Sequence, residues 1–167
     1  CGTEVVTRAE LERRAIALAH AYQRLGVQQG DLVTIGLPNS VEFFAAQIAV
    51  WKLGATPQPV SWRLPLAERR AIVELADSAL VVGVDPADHP DRVCVPAGFE
   101  PTAEDRAAGP LPEVVSPAWK APTSGGSTGR PKIILAPSPA VITGPAAGEI
   151  MGMQSGDAQL VAGPLYQ

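Results

Sequence analysis

A chain of 167 residues, 46% hydrophobic and 18% charged, has the composition of a folded domain large enough to bury a core, which excludes disorder throughout. Seventeen acidic against thirteen basic residues give a formal charge of -4 with no Lys/Arg run, so the chain has no basic footprint for nucleic acid or a membrane surface. Two cysteines and two histidines cannot build a disulfide framework or a zinc site, and no apolar stretch approaches the roughly 18 to 20 residues of a membrane span, so a cytoplasmic protein is expected.

The chain opens Cys1-Gly2-Thr3 and its only methionines are Met151 and Met153, which reads as an interior cut or a processed terminus. A lipoprotein cysteine is disfavoured because no tether separates Cys1 from the first helix signal. Thr7-Arg8-Ala9-Glu10 reads as a capping box, and Leu11, Ala15, Leu18, Tyr22 and Leu25 recur at helical steps until Gly26, predicting a helix from about residue 8 to 25. Leu32 to Leu37, ended by Pro38, reads as a buried strand. Asn39 or Ser40 caps a second helix with Phe44, Ile48 and Trp51 on one face, and Gly54 closes it.

Ala55 to Val60 is expected as a strand despite its prolines, and Pro65 stands at the first position of a third helix that carries Ile72, Leu75 and Ala76. Ala79 to Val84 is a further strand. Strands joined through helices need crossovers, so residues 1–84 predict an α/β fold with a mostly parallel sheet and helices on both faces. Residues 85–117 carry prolines at 86, 90, 96, 101, 110, 112 and 117 and read as one long connection with at most a short strand near Arg92 to Val95. Val93, Val95, Phe99, Val114, Val115 and Trp119 make it too apolar for a pure tether. Residues 118–167 hold a hairpin followed by a helix and strand, and no internal repeat is visible.

Chemistry concentrates in Thr123-Ser124-Gly125-Gly126-Ser127-Thr128-Gly129-Arg130-Pro131-Lys132, followed by the apolar Ile133-Ile134-Leu135. Glycines let successive N–H groups converge on an anion, hydroxyls add donors and a lysine adds charge, a combination suited to polyphosphate. The spacing fits neither G-x-x-x-x-G-K-[ST] nor G-x-G-x-x-G. The bland alternative is a flexible Gly/Ser/Thr hairpin or linker. Elsewhere, Phe43, Phe44, Trp51 and Tyr22 read as core, and Cys94 as a buried small hydrophobe with no base beside it. His20 reads as a structural residue on the first helix, and His89, among Asp85, Asp88 and Asp91, as part of a solvated loop in preference to a cation site.

Ser124 to Lys132 resembles the [ST]-[SG]-G-[ST]-[ST]-G-x-P-K signature of the adenylate-forming (AMP-binding) enzymes: acyl-CoA synthetases, peptide-synthetase adenylation domains and luciferases. The resemblance continues in Gly30-Asp31-Leu32-Val33, Leu37-Pro38-Asn39-Ser40 with Glu42-Phe43, Lys52-Leu53-Gly54-Ala55 through Pro59-Val60, Arg63-Leu64 with Glu68, and Gly163-Pro164-Leu165-Tyr166, in the family's order over roughly residues 4 to 167. It implies the N-terminal part of the large domain of such an enzyme, of the acyl-CoA ligase branch acting in fatty acid metabolism, without the C-terminal lid domain. The implied reaction joins a carboxylic acid to ATP, giving acyl-adenylate and pyrophosphate, and then forms a thioester with coenzyme A; Mg2+ is implied with ligands largely outside this chain.

The resemblance assigns ATP phosphates to Ser124, Gly125, Gly126, Ser127, Thr128, Gly129 and Lys132, and places Tyr166 and Gln167 near the acyl pocket. Gln167 stands where many members carry a histidine, so that residue's role does not transfer. A peptide-synthetase adenylation segment, or a noncatalytic anion-binding or interaction module of the same fold, are the alternatives. An open sheet edge makes association, including a homodimer, an expectation. Because the implied magnesium, ribose and lysine elements lie beyond these residues, the isolated chain is expected to form no acyl-adenylate. Carboxylate-dependent ATP–pyrophosphate exchange measures this, and turnover by these residues alone would contradict it.

Overall fold

The computed structural model describes residues 4–124, 131–141, 152, 154, 156–158, 160, 161 and 163–166. Helix α1 (Arg8–Arg24) begins where the Thr7 hydroxyl accepts the Glu10 N–H at 3.1 Å, as its capping pattern requires, and buries Ala15, Leu18, Ala19 and Tyr22. Helix α2 (Val41–Lys52) is capped by Ser40, whose hydroxyl accepts the Phe43 N–H at 3.0 Å. Its buried stripe is Phe43, Ala46, Ala49 and Val50, while Phe44, Ile48 and Trp51 are only half-buried. The helix touches both α1 and the sheet strands, so two neighbours, and not one apolar arc, choose the buried side.

Strands β1 (Leu32–Ile35), β2 (Thr56–Pro59), β3 (Leu80–Val82) and β4 (Cys94–Val95) form one sheet in the order β2-β1-β3-β4, every pair parallel. Val33, Ile35, Leu80 and Val82 belong to the main core with α1 and α2. Val81 and Val84 pack with Val73 of helix α3 (Leu66–Ala76) in a second cluster, so helices cover both faces. Pro65 is the N-cap of α3 and not its first helical residue, and Leu75 points out at 53% exposure. At Gly83, φ is +83° and an added Cβ would lie 2.6 Å from Leu37, so this turn out of β3 admits no side chain.

The prolines of β2 sit on one side of the strand. Thr56 and Val60 donate their N–H groups toward β1, to Asp31 O (2.8 Å) and Ile35 O (3.0 Å), whereas Pro57 and Pro59 alternate with them and face the outer edge. No ladder bond to β1 is lost, which is why a proline-rich segment survives as a strand here.

Residues 85–117 are more structured than their prolines suggest. They hold a 3-10 turn (Pro86–Asp88), β4, and a helix α4 (Ala103–Ala107) closed by a reciprocal capping box between Thr102 and Asp105. Val95 is buried and Phe99 packs on the core, while Val93, Val114, Val115 and Trp119 stay exposed. His89 is not part of a solvated loop: it is 4% exposed, its Nε2 accepts from Arg69 Nε at 3.2 Å, and Asp88 pairs with the same guanidinium at 2.5 Å. Burial, then the Arg69 charge, holds its pKa below the usual imidazole range. Cys94 is half-buried, with its thiol pushed up by burial. His20 is half-buried and meets Gly109 O at 2.8 Å.

Asp105, 6% exposed, accepts from Arg24 Nη2 at 2.6 Å and from the Thr102 N–H at 2.9 Å, and the Arg24 bond leads in lowering its pKa from 3.8 to about 2. A carboxyl more acidic in the folded chain than in the unfolded one contributes its full stability above the ordinary value and loses it as pH falls toward the lowered one. Urea midpoints are therefore expected to fall as pH drops from about 4 to about 2, less steeply in Asp105→Asn. Equal slopes would contradict the Arg24–Asp105 pairing.

Candidate functional site

The segment after residue 115 returns to the outer edge of β2 and runs out again as a two-stranded antiparallel ladder. Its tip strands are β5 (Thr123–Ser124) and β6 (Lys132–Ile133), with Thr123 opposite Ile133 and Ser124 opposite Lys132. Bonds from Ala140 N to Ser116 O, Trp119 N to Ser138 O, Ala136 N to Lys120 O and Ile134 N to Pro122 O, at 2.9 to 3.0 Å, extend the pairing to the base. Between β5 and β6 lies the glycine- and hydroxyl-rich loop. Gly125, Gly126, Ser127, Thr128, Gly129 and Arg130 lie outside the described residues, as does Gln167.

Ser124 and Lys132, on either side of the loop, are thus brought together. The Ser124 hydroxyl donates to the Lys132 carbonyl at 3.4 Å, and the Lys132 side chain is exposed and available to an anion. Beside the hairpin lies a cavity of about 850 Å³ bounded by Pro59, Val60, Ile72, Thr123, Ser124 and Tyr166. Its walls are largely apolar, with Glu68 bringing in a carboxylate. Tyr166 therefore sits within reach of the loop's base although more than thirty residues follow the loop before it.

Four contacts hold the hairpin to the sheet and to α2. Trp51 Nε1 donates to Trp119 O at 2.8 Å, which explains why Trp51 is not a core residue. Ser116 donates to Ala118 O at 2.6 Å, so Thr56 donates its own proton to Ser116 Oγ at 2.9 Å. The Ala121 N–H bonds Pro57 O at 2.9 Å on the outer edge of β2. Finally, Gln58 Nε2 donates to Thr123 Oγ1 at 2.8 Å.

The last contact ends a longer chain. Thr34 donates to Gln58 Oε1 at 2.7 Å and thereby spends its proton, so Ser78 donates to Thr34 Oγ1 at 2.6 Å. Thr34, Gln58 and Ser78 are 0 to 1% exposed. The sequence motifs do not single out Gln58 or Thr34; the available signal is an amide inside a segment read as a buried strand, which has to find partners. Asn39 was a candidate cap and does something else: its side chain donates to Gly163 O at 2.9 Å and accepts the Leu165 N–H at 3.0 Å. It thus ties the Leu37-Pro38-Asn39-Ser40 motif to the Gly163-to-Tyr166 motif across the fold.

A family model described as AMP-binding enzyme matches residues 1–166. Among curated proteins, the chain is 34% identical over 129 residues to pyochelin synthetase PchE of Pseudomonas aeruginosa, covering 76% of this chain and 9% of that one. It is 38% identical over 77 residues to 3-oxocholest-4-en-26-oate–CoA ligase of Rhodococcus rhodochrous, covering 46% of this chain and 14% of the ligase. Among solved structures, O-succinylbenzoate coenzyme A synthetase (MenE) of Bacillus subtilis in complex with AMP superposes with a TM-score of 0.75 at 19% identity, covering 99% of this chain and 45% of that one. At that identity the likeness bears on the fold alone. The chain spans a small part of these curated relatives and less than half of the solved one.

The buried chain of bonds makes a direct demand on stability. Thr34→Val keeps the shape of the side chain and strands the Ser78 hydroxyl and Gln58 carbonyl in the interior, each left without its partner. A loss of about 2 kcal/mol is expected from urea unfolding. An unchanged midpoint would mean that these hydroxyls do not depend on one another.

Proposed function

The chain belongs to the AMP-binding enzyme family, adenylate-forming ligases, and on that premise we propose that it supplies the ATP-phosphate-binding part of an enzyme that activates a carboxylic acid. In the reaction, a carboxylate oxygen attacks the α-phosphorus of ATP, the bond to the pyrophosphate oxygen breaks, and acyl-adenylate forms. The observation that carries this reading is the loop itself, a signature-matching segment mounted on a hairpin that is bonded to a parallel sheet and opens beside a cavity.

The backbone N–H groups of Gly125 to Gly129 and the hydroxyls of Ser124, Ser127 and Thr128 act as donors to the β- and γ-phosphates, and Lys132 neutralises charge as pyrophosphate departs. Among the described residues no three His, Cys, Asp or Glu side chains come together as a metal site, and the carboxylate that lines the cavity beside the loop's base is Glu68. Mg2+ at a nucleotide is held largely by phosphates and water, and no step here runs through it.

For the second half of the reaction, the adenylate is passed to a thiol, which attacks the acyl carbon and releases AMP. We assign coenzyme A as that thiol. The resemblance to a CoA ligase supports this assignment, and the longer resemblance to pyochelin synthetase supports a second reading in which this is an adenylation unit of a peptide synthetase. Both readings share the first step and the same loop.

The test separates the two half-reactions in the complete protein. Lys132→Ala is expected to slow single-turnover adenylation by about ten- to a hundredfold, and Ser127→Ala combined with Thr128→Ala by about a hundredfold or more, since donors to charged groups are worth about 1.5 to 3 kcal/mol each. The fold is expected to stay intact because Lys132 is exposed. If both variants adenylated at the wild-type rate and failed only in the thiol step, the phosphate-holding role would be wrong.

A further inference from the structure

We infer that Gln58 is a positioning residue for the phosphate-binding loop, acting through Thr123; this rests on the reading of the loop given above. Gln58 lies in the middle of β2 and is fully buried. Across the sheet the register sets Gln58 beside Thr34 and Thr34 beside Val81, so this row passes from an apolar side chain to two buried polar ones. What the amide adds is two-sided bonding. Its Oε1 takes the Thr34 hydroxyl proton from the centre of the sheet, and its Nε2 reaches out of the sheet to Thr123 Oγ1 at 2.8 Å.

The position of that bond along the hairpin gives it consequence. The other bonds, from β2 at Ser116 and Ala121 and from α2 at Trp119, all precede Thr123. Among the described residues, the Gln58–Thr123 bond is the last tie between the sheet and the chain entering the loop, and Ser124 follows directly. Thr123 and Ser124 also line the cavity. Thr123 is therefore linked to Thr34 of β1 and to Ser78 before β3 through a chain of hydroxyl and amide bonds whose inner members, Gln58, Thr34 and Ser78, are buried. A shift of the entry strand would displace the Ser124 hydroxyl that follows Thr123 directly, and misplacement by about 1 Å can cost about a hundredfold in rate.

The experiment uses the complete protein with Gln58→Leu, Thr123→Val, the double variant, and Thr123→Ser, which keeps the acceptor oxygen. In ATP–pyrophosphate exchange, Gln58→Leu and Thr123→Val are each expected to raise the KM for ATP about tenfold, the effect of one lost hydrogen bond, with the KM for the carboxylic acid unchanged. The double variant is expected to be no worse than the worse single one, and Thr123→Ser to behave as wild type. Hydrogen exchange provides a readout independent of activity: the Ser124 and Ile134 amides are expected to exchange about tenfold faster in Thr123→Val than in Thr123→Ser, with β1 and β3 unaltered because the Thr34–Gln58 bond is kept.

A KM for ATP within about twofold of wild type in Gln58→Leu, or additive effects in the double variant, would overturn the inference and leave Gln58 a structural residue only. Should Gln58→Leu not fold, Thr123→Val against Thr123→Ser makes the same comparison while leaving the Thr34–Gln58 bond whole. If the wild-type protein catalysed no exchange with any carboxylic acid, the functional reading would fail by itself. The coupling would then be judged on the hairpin amides, and equal rates in Thr123→Val and Thr123→Ser would overturn it.

Discussion

A parallel sheet covered by helices on both faces leaves no water to satisfy a polar side chain, so any hydroxyl or amide placed within it has to be paired by another part of the protein. This constraint organises the outer half of the sheet. Ser78, Thr34, Gln58 and Thr56 are all buried, and each finds its partner in a neighbouring strand or in the returning hairpin. Among the described residues no buried side-chain nitrogen or oxygen is left without a partner. The hairpin is thus part of how the sheet satisfies its interior polar groups, and its attachment is specific in direction as well as in place.

The prolines of β2 sharpen that specificity. With Pro57 and Pro59 turned outward, the outer edge of β2 offers carbonyls and no N–H groups at those positions, so it can accept from an incoming strand and cannot complete an ordinary ladder with one. The incoming segment supplies the Ala121 N–H for Pro57 O and then relies on side chains, Thr56 to Ser116 and Gln58 to Thr123. Such an edge is poorly matched to general strand addition and well matched to one hairpin. The strands on either side of the loop, β5 and β6, are thereby anchored to the sheet.

The other face of the sheet plays a different part. There Val33, Ile35, Leu80 and Val82 meet Phe43, Ala46, Ala49 and Val50 of α2, with α1 packed outside it. Residues 85–117 are then laid against this body by polar contacts: Arg24 with Asp105, Gly98 N–H with Glu42, and His20 with Gly109 O. Regular structure is short in this segment because its prolines remove backbone donors, yet the chain is held at intervals by charge and by Val95 and Phe99. The division places the larger apolar core on the α1/α2 side and the cavity, lined by Thr123 and Ser124, on the α3 side.

Local patterns were sufficient for much of this. Capping residues such as Thr7 and Ser40, helical apolar spacing, and short β-branched runs act over a few residues, so the αβ order, the parallel sheet and the segment carrying Ser124 and Lys132 are legible from the amino-acid sequence alone. The cluster of glycines, hydroxyls and a lysine is likewise visible in the sequence, with a composition suited to an anion. Everything that depends on which distant residues meet was decided only by the tertiary structure. Phe43 displaced Phe44 from the core because α2 faces two neighbours; His89 became buried because Arg69 reaches it from α3; Asn39 was taken from capping by the 163–165 segment. Gln58 and Thr123 are 65 positions apart and share no periodicity, so their bond could arise only once the hairpin had come to rest on β2, where burial leaves an amide no alternative partner.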